Sequence, residues 1–284
     1  MPQTSASTAI ITDSTAYLPR SLVADNDIRV VPLQVVIGGT AYDEGSEASA
    51  ATVAQALRSW TPVSTSRPGP FAFLSAYEQA AEEGADGIVS IHLSADMSGT
   101  YESAVLAAKD APVPVRVVDS RSLGMGLGYA VVTAAQLAAS GAGVDDVATA
   151  AEKRAASSKT VFYVDTLEYL RRGGRIGAAA AFLGSALAVK PLLHLVDGHI
   201  EPLEKVRTAA RAISRLEEVA VGHAGDAEVD VAVHHLVNRD RADSLAERLR
   251  ERLPRLGRLE ISEVGAVVGV HVGPGMLAVV VAPR

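Results

Sequence analysis

Two hydroxyl-rich segments, Ser64-Thr65-Ser66-Arg67-Pro68 and Ser94-Ala95-Asp96-Met97-Ser98-Gly99-Thr100, carry the plainest candidates for chemistry in this chain. Each reads as standing just before a helix, and the second directly follows the apolar run Gly87–Leu93. A helix N-terminus offers backbone N–H groups with no intrahelical partner and the positive end of a dipole. Hydroxyls beside it add donors, so two such clusters suit one small anion, a carboxylate or a phosphate. Ser and Thr also serve as ordinary N-caps, and on residue type alone both roles stand.

Leu170 to Gly177 (LRRGGRIG) sets Arg171, Arg172 and Arg175 around Gly173 and Gly174. Guanidinium forks match oxyanions and glycines allow tight turns, though a solvated loop has the same composition. His271 precedes Val272-Gly273-Pro274-Gly275, which reads as a forced turn presenting the imidazole at a rim. Other chemistries find no pattern. There is no G-x-x-x-x-G-K-[ST] and no G-x-S-x-G. Gly124-Met125-Gly126-Leu127-Gly128 has the wrong spacing for a dinucleotide fingerprint. His234 and His235 are adjacent, so on a strand they face opposite ways, and no metal site is expected. Asp13, Asp119 and Asp165 each end an expected strand, where carboxylates can bind magnesium or orient hydroxyls but more often cap and turn.

The elements that must position these groups alternate apolar runs with amphipathic stretches, the pattern of an α/β fold. Thr8–Thr12, Ile28–Ile37 (interrupted by Pro32), Gly87–Leu93 and Val113–Val118 read as strands, with helices over Pro70–Glu83, Gly99–Lys109 and Gly128–Ser140. This predicts an N-terminal doubly wound, mostly parallel sheet. A second α/β set follows: strand Thr160–Val164, a short helix Thr166–Leu170, a helix Ala178–Ala188, and a hairpin turning at Asp197-Gly198. Helix Thr208–Val221, strand Val229–Leu236, helix Asp240–Leu253 and strand Leu277–Val281 complete it. The expected domains are 1–158 and 159–284, packed against each other.

Composition narrows the classes further. The 284 residues carry 26 Lys+Arg and 33 Asp+Glu, a net charge of −7, which argues against a nucleic-acid surface. With 48% hydrophobic and 21% charged residues the chain is globular, not disordered. It has no cysteine, which excludes disulfides, thiol catalysis and Cys-ligated metals. Aromatics are only 4%, so the core must be aliphatic. Residues 1–8 lack the basic and apolar regions of a signal peptide. The longest apolar stretch, Ile176–Val189, has 14 residues against the ~18 needed to span a bilayer. The expectation is a cytoplasmic protein with no membrane insertion.

Taken in order, several segments resemble the DegV family of bacterial lipid-binding proteins. They are Ile11-Thr12-Asp13-Ser14-Thr15, Val31-Pro32-Leu33, Tyr42-Asp43-Glu44-Gly45, Ser64 to Pro68, Leu93 to Tyr101 and Val118-Asp119-Ser120. In the second half they are Leu167 to Ile176, Lys190-Pro191, Asp197-Gly198, Lys205-Val206-Arg207 and His271 to Gly275. The resemblance implies a two-domain α/β protein that binds one long-chain fatty acid, needs no cofactor, and is not itself an enzyme. It further implies the acyl-carrier subunit of a fatty acid kinase, whose separate ATP-binding subunit converts the carboxylate to an acyl-phosphate. By the same resemblance Thr65, Ser66, Ser98, Gly99, Arg175 and His271 would hold the carboxylate, with Arg207 and Arg172 at the rim toward the partner. The N-terminal domain would carry the lipid and the C-terminal domain would close over the pocket. Some fifteen methylenes at about 0.8 kcal/mol each give ~12 kcal/mol of gross burial energy, enough for slow release. Two alternatives stand: a small hydrolase or phosphotransferase drawing on Ser98, His271 and Asp13, and a stand-alone lipid storage or sensing protein.

Overall fold

A computed structural model describes residues 7–45, 49–182 and 190–284. In chain order its elements are β1 (Thr8–Asp13), α1 (Arg20–Asp25), β2 (Ile28–Val31), β3 (Gln34–Ile37), β4 (Thr40–Asp43), α2 (Ala50–Arg58), β5 (Val63–Ser66) and α3 (Pro70–Glu82). Then come β6 (Gly87–His92), α4 (Thr100–Ala108), β7 (Val115–Asp119), α5 (Met125–Ala139), α6 (Val144–Ser157), β8 (Lys159–Tyr163) and α7 (Glu168–Arg172). The last are β9 (Lys190–Val196), β10 (His199–Val206), α8 (Ala209–Ala224), β11 (Val229–His235), α9 (Arg239–Arg252), β12 (Leu256–Glu263), α10 (Ala266–Val272) and β13 (Leu277–Pro283). The chain forms two compact units: Met1–Leu33 with Arg67–Ala156, and Gln34–Ser66 with Ser157–Arg284.

The first unit is built on a parallel sheet of order β2-β1-β6-β7. β6 is buried along its whole length, which is why it reads as a continuous apolar run. Phe73, Tyr77 and Ala80 of α3 and Ala104 and Ala107 of α4 bury against Ile11 and Ile88. α5 packs on β1 and β6 and is buried over most of its surface. Small alanines let these helices approach closely and replace the aromatic bulk the chain lacks.

The second unit holds a six-stranded mixed sheet, order β10-β9-β8-β13-β11-β12, and a three-stranded antiparallel sheet, β4-β3-β5. The β9–β10 hairpin turns where expected, with Asp197 and Gly198 both at positive φ (46° and 84°). α8 and α9 bury Leu216, Ala220, Leu245 and Leu249 against Val231, Val279 and Val281 of the large sheet.

The α/β architecture with an N-terminal parallel sheet is as expected, but three placements need correcting. Residues 34–66 do not extend the first domain. β3 leaves the parallel sheet after Pro32 and pairs with β4 and β5, and Val35 and Val53 bury with Ala266 and Val270. Thr65 lies within a strand, not before a helix: α3 begins four residues after Ser66, behind Gly69. The expected helix Ala178–Ala188 starts as a 3-10 turn over Gly177–Phe182, and its remainder lies outside the described residues.

Candidate functional site

In the second unit Thr65 and His271 meet. β5 carries Thr65 opposite Val35, and α10 carries His271 next to Val270. Val35 and Val270 share one buried apolar cluster, so the same packing fixes both elements. Thr65 Oγ1 lies 3.0 Å from His271 Nε2. Gly173, just beyond α7, comes so near the ring that a Cβ there would fall 2.0 Å from Nδ1. Nδ1 has no hydrogen-bond partner among the described residues, and an orphaned buried N–H costs more than an orphaned lone pair. The ring proton therefore belongs on Nε2, which donates to Thr65 Oγ1. That leaves the Thr65 hydrogen available to another acceptor. Burial, then the nearby Arg175 charge, push His271 down to about 4, so the ring is neutral near pH 7.

Thr65 and His271 line a cavity of about 360 Å³ that Trp60, Tyr169, Arg172 and Arg175 also line. Trp60 is 74% exposed and has a left-handed backbone, φ 59°. The Arg172 guanidinium stands 4.6 Å from the centroid of its ring, a cation–π contact. Arg171 and then Arg172 hydrogen-bond Glu168 and hold its carboxyl down at about 2. Arg175 Nη1 donates to the Gly173 carbonyl at 2.7 Å. A hydroxyl donor, a neutral imidazole behind it and guanidinium groups at the mouth suit an anionic oxygen rather than a cation.

In the first unit the loop after β6 carries the second hydroxyl cluster. The Ser94 carbonyl accepts from the amides of Met97 and Ser98 at 3.0 and 3.2 Å, closing a tight turn. Ser98 Oγ lies 2.9 Å from Thr100 Oγ1. Gly99 occupies the N-cap of α4 with no side-chain cap, so Ser98 is not the capping residue. A Cβ on Gly99 would fall 1.8 Å from Arg67 Nη1, which lies 3.4 Å from the Gly99 carbonyl oxygen. Only a glycine admits the guanidinium there.

Of the residues singled out in the sequence, Thr65, Arg172, Arg175 and His271 come together in the second unit, and Ser98 and Gly99 in the first. Ser66 does not join Thr65: alternation along β5 turns it to the other face, where it is exposed. Arg207 is exposed directly after β10. His271 belongs to the last turn of a helix and is largely covered, not held out on a turn. The Asp13 carboxylate is engaged within the first unit. It is fully buried and accepts from Thr15, Leu93 and His92. Tyr169 and Trp60 are site residues that sequence reasoning missed, and Gly173 reads there only as a turn glycine. The single tryptophan, next to a short helix, was the available signal for Trp60. Among the described residues no group of three or more His, Asp or Glu side chains could hold a metal ion, and no helix is long and apolar enough to cross a membrane.

Fold and site define an α/β protein of two units with an anion-suited pocket backed by a hydroxyl–imidazole pair. Residues 7–284 match the model of the DegV family, described there as uncharacterised, and the chain belongs to that family. A DegV domain-containing protein of Streptomyces coelicolor is 60% identical over 276 residues, 97% of this chain and 98% of that one. A solved DegV family protein from Thermus thermophilus, described as fatty acid binding, superposes with a TM-score of 0.92 at 32% identity, covering 98% of this chain and 99% of that one. DegV from Bacillus subtilis, described as a fatty acid binding protein, gives 0.90 at 33% identity, covering 99% and 100%.

Proposed function

We propose that this chain binds one long-chain fatty acid and presents its carboxylate to a separate ATP-dependent kinase subunit, which converts it to an acyl-phosphate. The observation that carries the lipid is the likeness, over nearly the full chain, to two solved DegV proteins described as fatty acid binding. The pocket chemistry supports the head-group role. The Thr65 hydroxyl, already accepting from His271, has its hydrogen left for a carboxylate oxygen, and Arg175 adds positive charge. Ser98 and Gly99 stand as further head-group residues on the strength of the resemblance alone, whereas Ser66, on the other face of β5 from Thr65, does not. The carrier reading is supported over an enzyme because, among the described residues, no acid partners His271 Nδ1 to orient a general base.

Arg207 and Arg172 take the rim role. An acyl-phosphate carries more negative charge than a carboxylate, so exposed guanidinium groups favour the product and an acidic partner surface. Native mass spectrometry of the purified protein tests the lipid, and one co-purifying C14–C18 acid per chain is the expected result. Its absence, together with no binding of added acid, would sink the reading. ATP-dependent acyl-phosphate formation with the host's kinase subunit tests the carrier role. Arg207→Ala should keep fatty acid affinity within a few-fold and lower acyl-phosphate formation at least tenfold, about 1.4 kcal/mol. No product from the unmutated protein would favour lipid storage instead.

A further inference from the structure

The first unit buries a continuous chain of polar side chains beneath the loop that carries Ser98. Tyr77 Oη donates to Ser90 Oγ at 3.0 Å, Ser90 Oγ lies 2.7 Å from His92 Nε2, and His92 Nδ1 lies 3.1 Å from Asp13 Oδ2. All four residues are sealed from solvent. The Phe73 ring stands edge-on to His92, centroids 4.9 Å apart, and walls the imidazole in. A carboxylate only accepts, so Nδ1 carries the hydrogen toward Asp13, and Nε2 accepts from Ser90, which accepts from Tyr77. The hydrogens run in one direction, ending on Asp13, with the Tyr77 hydroxyl also reaching the Ala104 carbonyl at 3.4 Å.

Asp13 has further duties. Its Oδ1 accepts from Thr15 N at 3.0 Å and Thr15 Oγ1 at 2.6 Å, and its Oδ2 accepts from Leu93 N at 3.0 Å. Leu93 is the first residue past β6, and the next residue, Ser94, closes the turn onto the Ser98 amide. One carboxylate thus ties the ends of two neighbouring strands to the start of the Ser98 loop. A buried polar chain whose members are all satisfied holds the groups it joins in one arrangement.

We propose that Asp13, oriented through His92 and Ser90, is a positioning residue for the Ser98 hydroxyl in carboxylate recognition. The inference rests on the head-group role proposed above for Ser98. Its test compares binding of hexadecanoic acid and hexadecan-1-ol to the full chain, because a merely structural loss would weaken both alike. Asp13→Asn cannot accept from Thr15, Leu93 and His92 together and releases the loop. The expected result is a roughly tenfold fall in the acid-to-alcohol affinity ratio, with Ser98→Ala falling as far. If Asp13→Asn does not fold, Ser90→Ala, which cuts the chain one link further back, should lower the ratio about threefold. An unchanged ratio in whichever of these folds, beside a lowered one in Ser98→Ala, overturns the positioning role. An unchanged ratio in Ser98→Ala removes Ser98 from head-group binding and this inference with it, while the unmutated chain still binds acid. Failure of the unmutated chain to bind acid at all removes the reading beneath both.

Discussion

Thr65 and His271 form a pair in which one proton position decides what the pocket can hold. With Nε2 donating, the threonine hydrogen is available to a carboxylate. Thr65→Val keeps the shape and removes that donor, so fatty acid binding should weaken by about 1–3 kcal/mol with little change in thermal midpoint, whereas Thr65→Ser should restore most of it. Equal losses in Val and Ser variants would mean that the methyl group, not the hydroxyl, matters. The same histidine sets a pH signature. In the unfolded chain it binds a proton near its ordinary 6.5, but in the fold burial and Arg175 hold it at about 4. The unfolded state therefore takes up more protons between those values, and stability that is full above pH 6.5 is lost as pH falls toward 4. His234, held down to about 4 by burial, acts in the same sense. The thermal midpoint should fall across this window, and less steeply in His271→Gln. An identical slope in the variant would show that His271 does not titrate this way.

At the scale of elements, the end of α7 fits closely against α10. Gly173→Ala places a methyl group 2.0 Å from His271 Nδ1, so the ring must shift and its contact with Thr65 is disturbed. The expected outcome is a loss of fatty acid affinity comparable to Thr65→Val, with the unmutated secondary structure retained by circular dichroism. Wild-type affinity would mean the ring has room to shift without losing Thr65. Gly173 shows why part of this site was hidden in the sequence. A glycine needed for close approach looks like one needed for a turn, and only the contact tells them apart. Elements with strong contrast were legible: buried β1, β6, β8, β11 and β13, the helix opened by Pro70, and the Asp197-Gly198 turn. β5 escaped because Ser64-Thr65-Ser66 has no apolar alternation, and its strand state comes from pairing with β3. α10 escaped for the opposite reason. Its β-branched run (AVVGVHV) favours a strand locally, and packing against α2, β5 and α7 overrides that preference. The alanine-rich α2 and α6 were not marked in the sequence, although each buries one face: Val53 and Ala54 in α2, and Val147, Ala148 and Ala151 in α6. Thr65 and His271 could be named from residue type, but their meeting depends on two elements that the pattern did not show.

Across the whole molecule, the chain passes between its two units after Leu33, after Ser66 and after Ala156. A fragment cut at residue 158 therefore keeps residues 34–66 without the α10 residues that bury Val35 and Val53. Such a fragment should associate and bind a hydrophobic dye, and adding Val35→Thr and Val53→Thr should reduce both; a monomeric, dye-silent fragment would count against this. The same connectivity sets a timetable for synthesis. Residues 34–66 leave the ribosome early, yet Ala266 and Val270 are made only some 200 residues later. At about 5–20 residues per second, that is a wait of roughly 10–40 s. Through that interval β3, α2 and β5 lack their apolar partners, while Arg67–Ala156 can already complete the parallel sheet on either side of them. The stretch that supplies Thr65 is thus among the first translated and among the last to fold, and it is where a holding chaperone would be expected to engage the nascent chain.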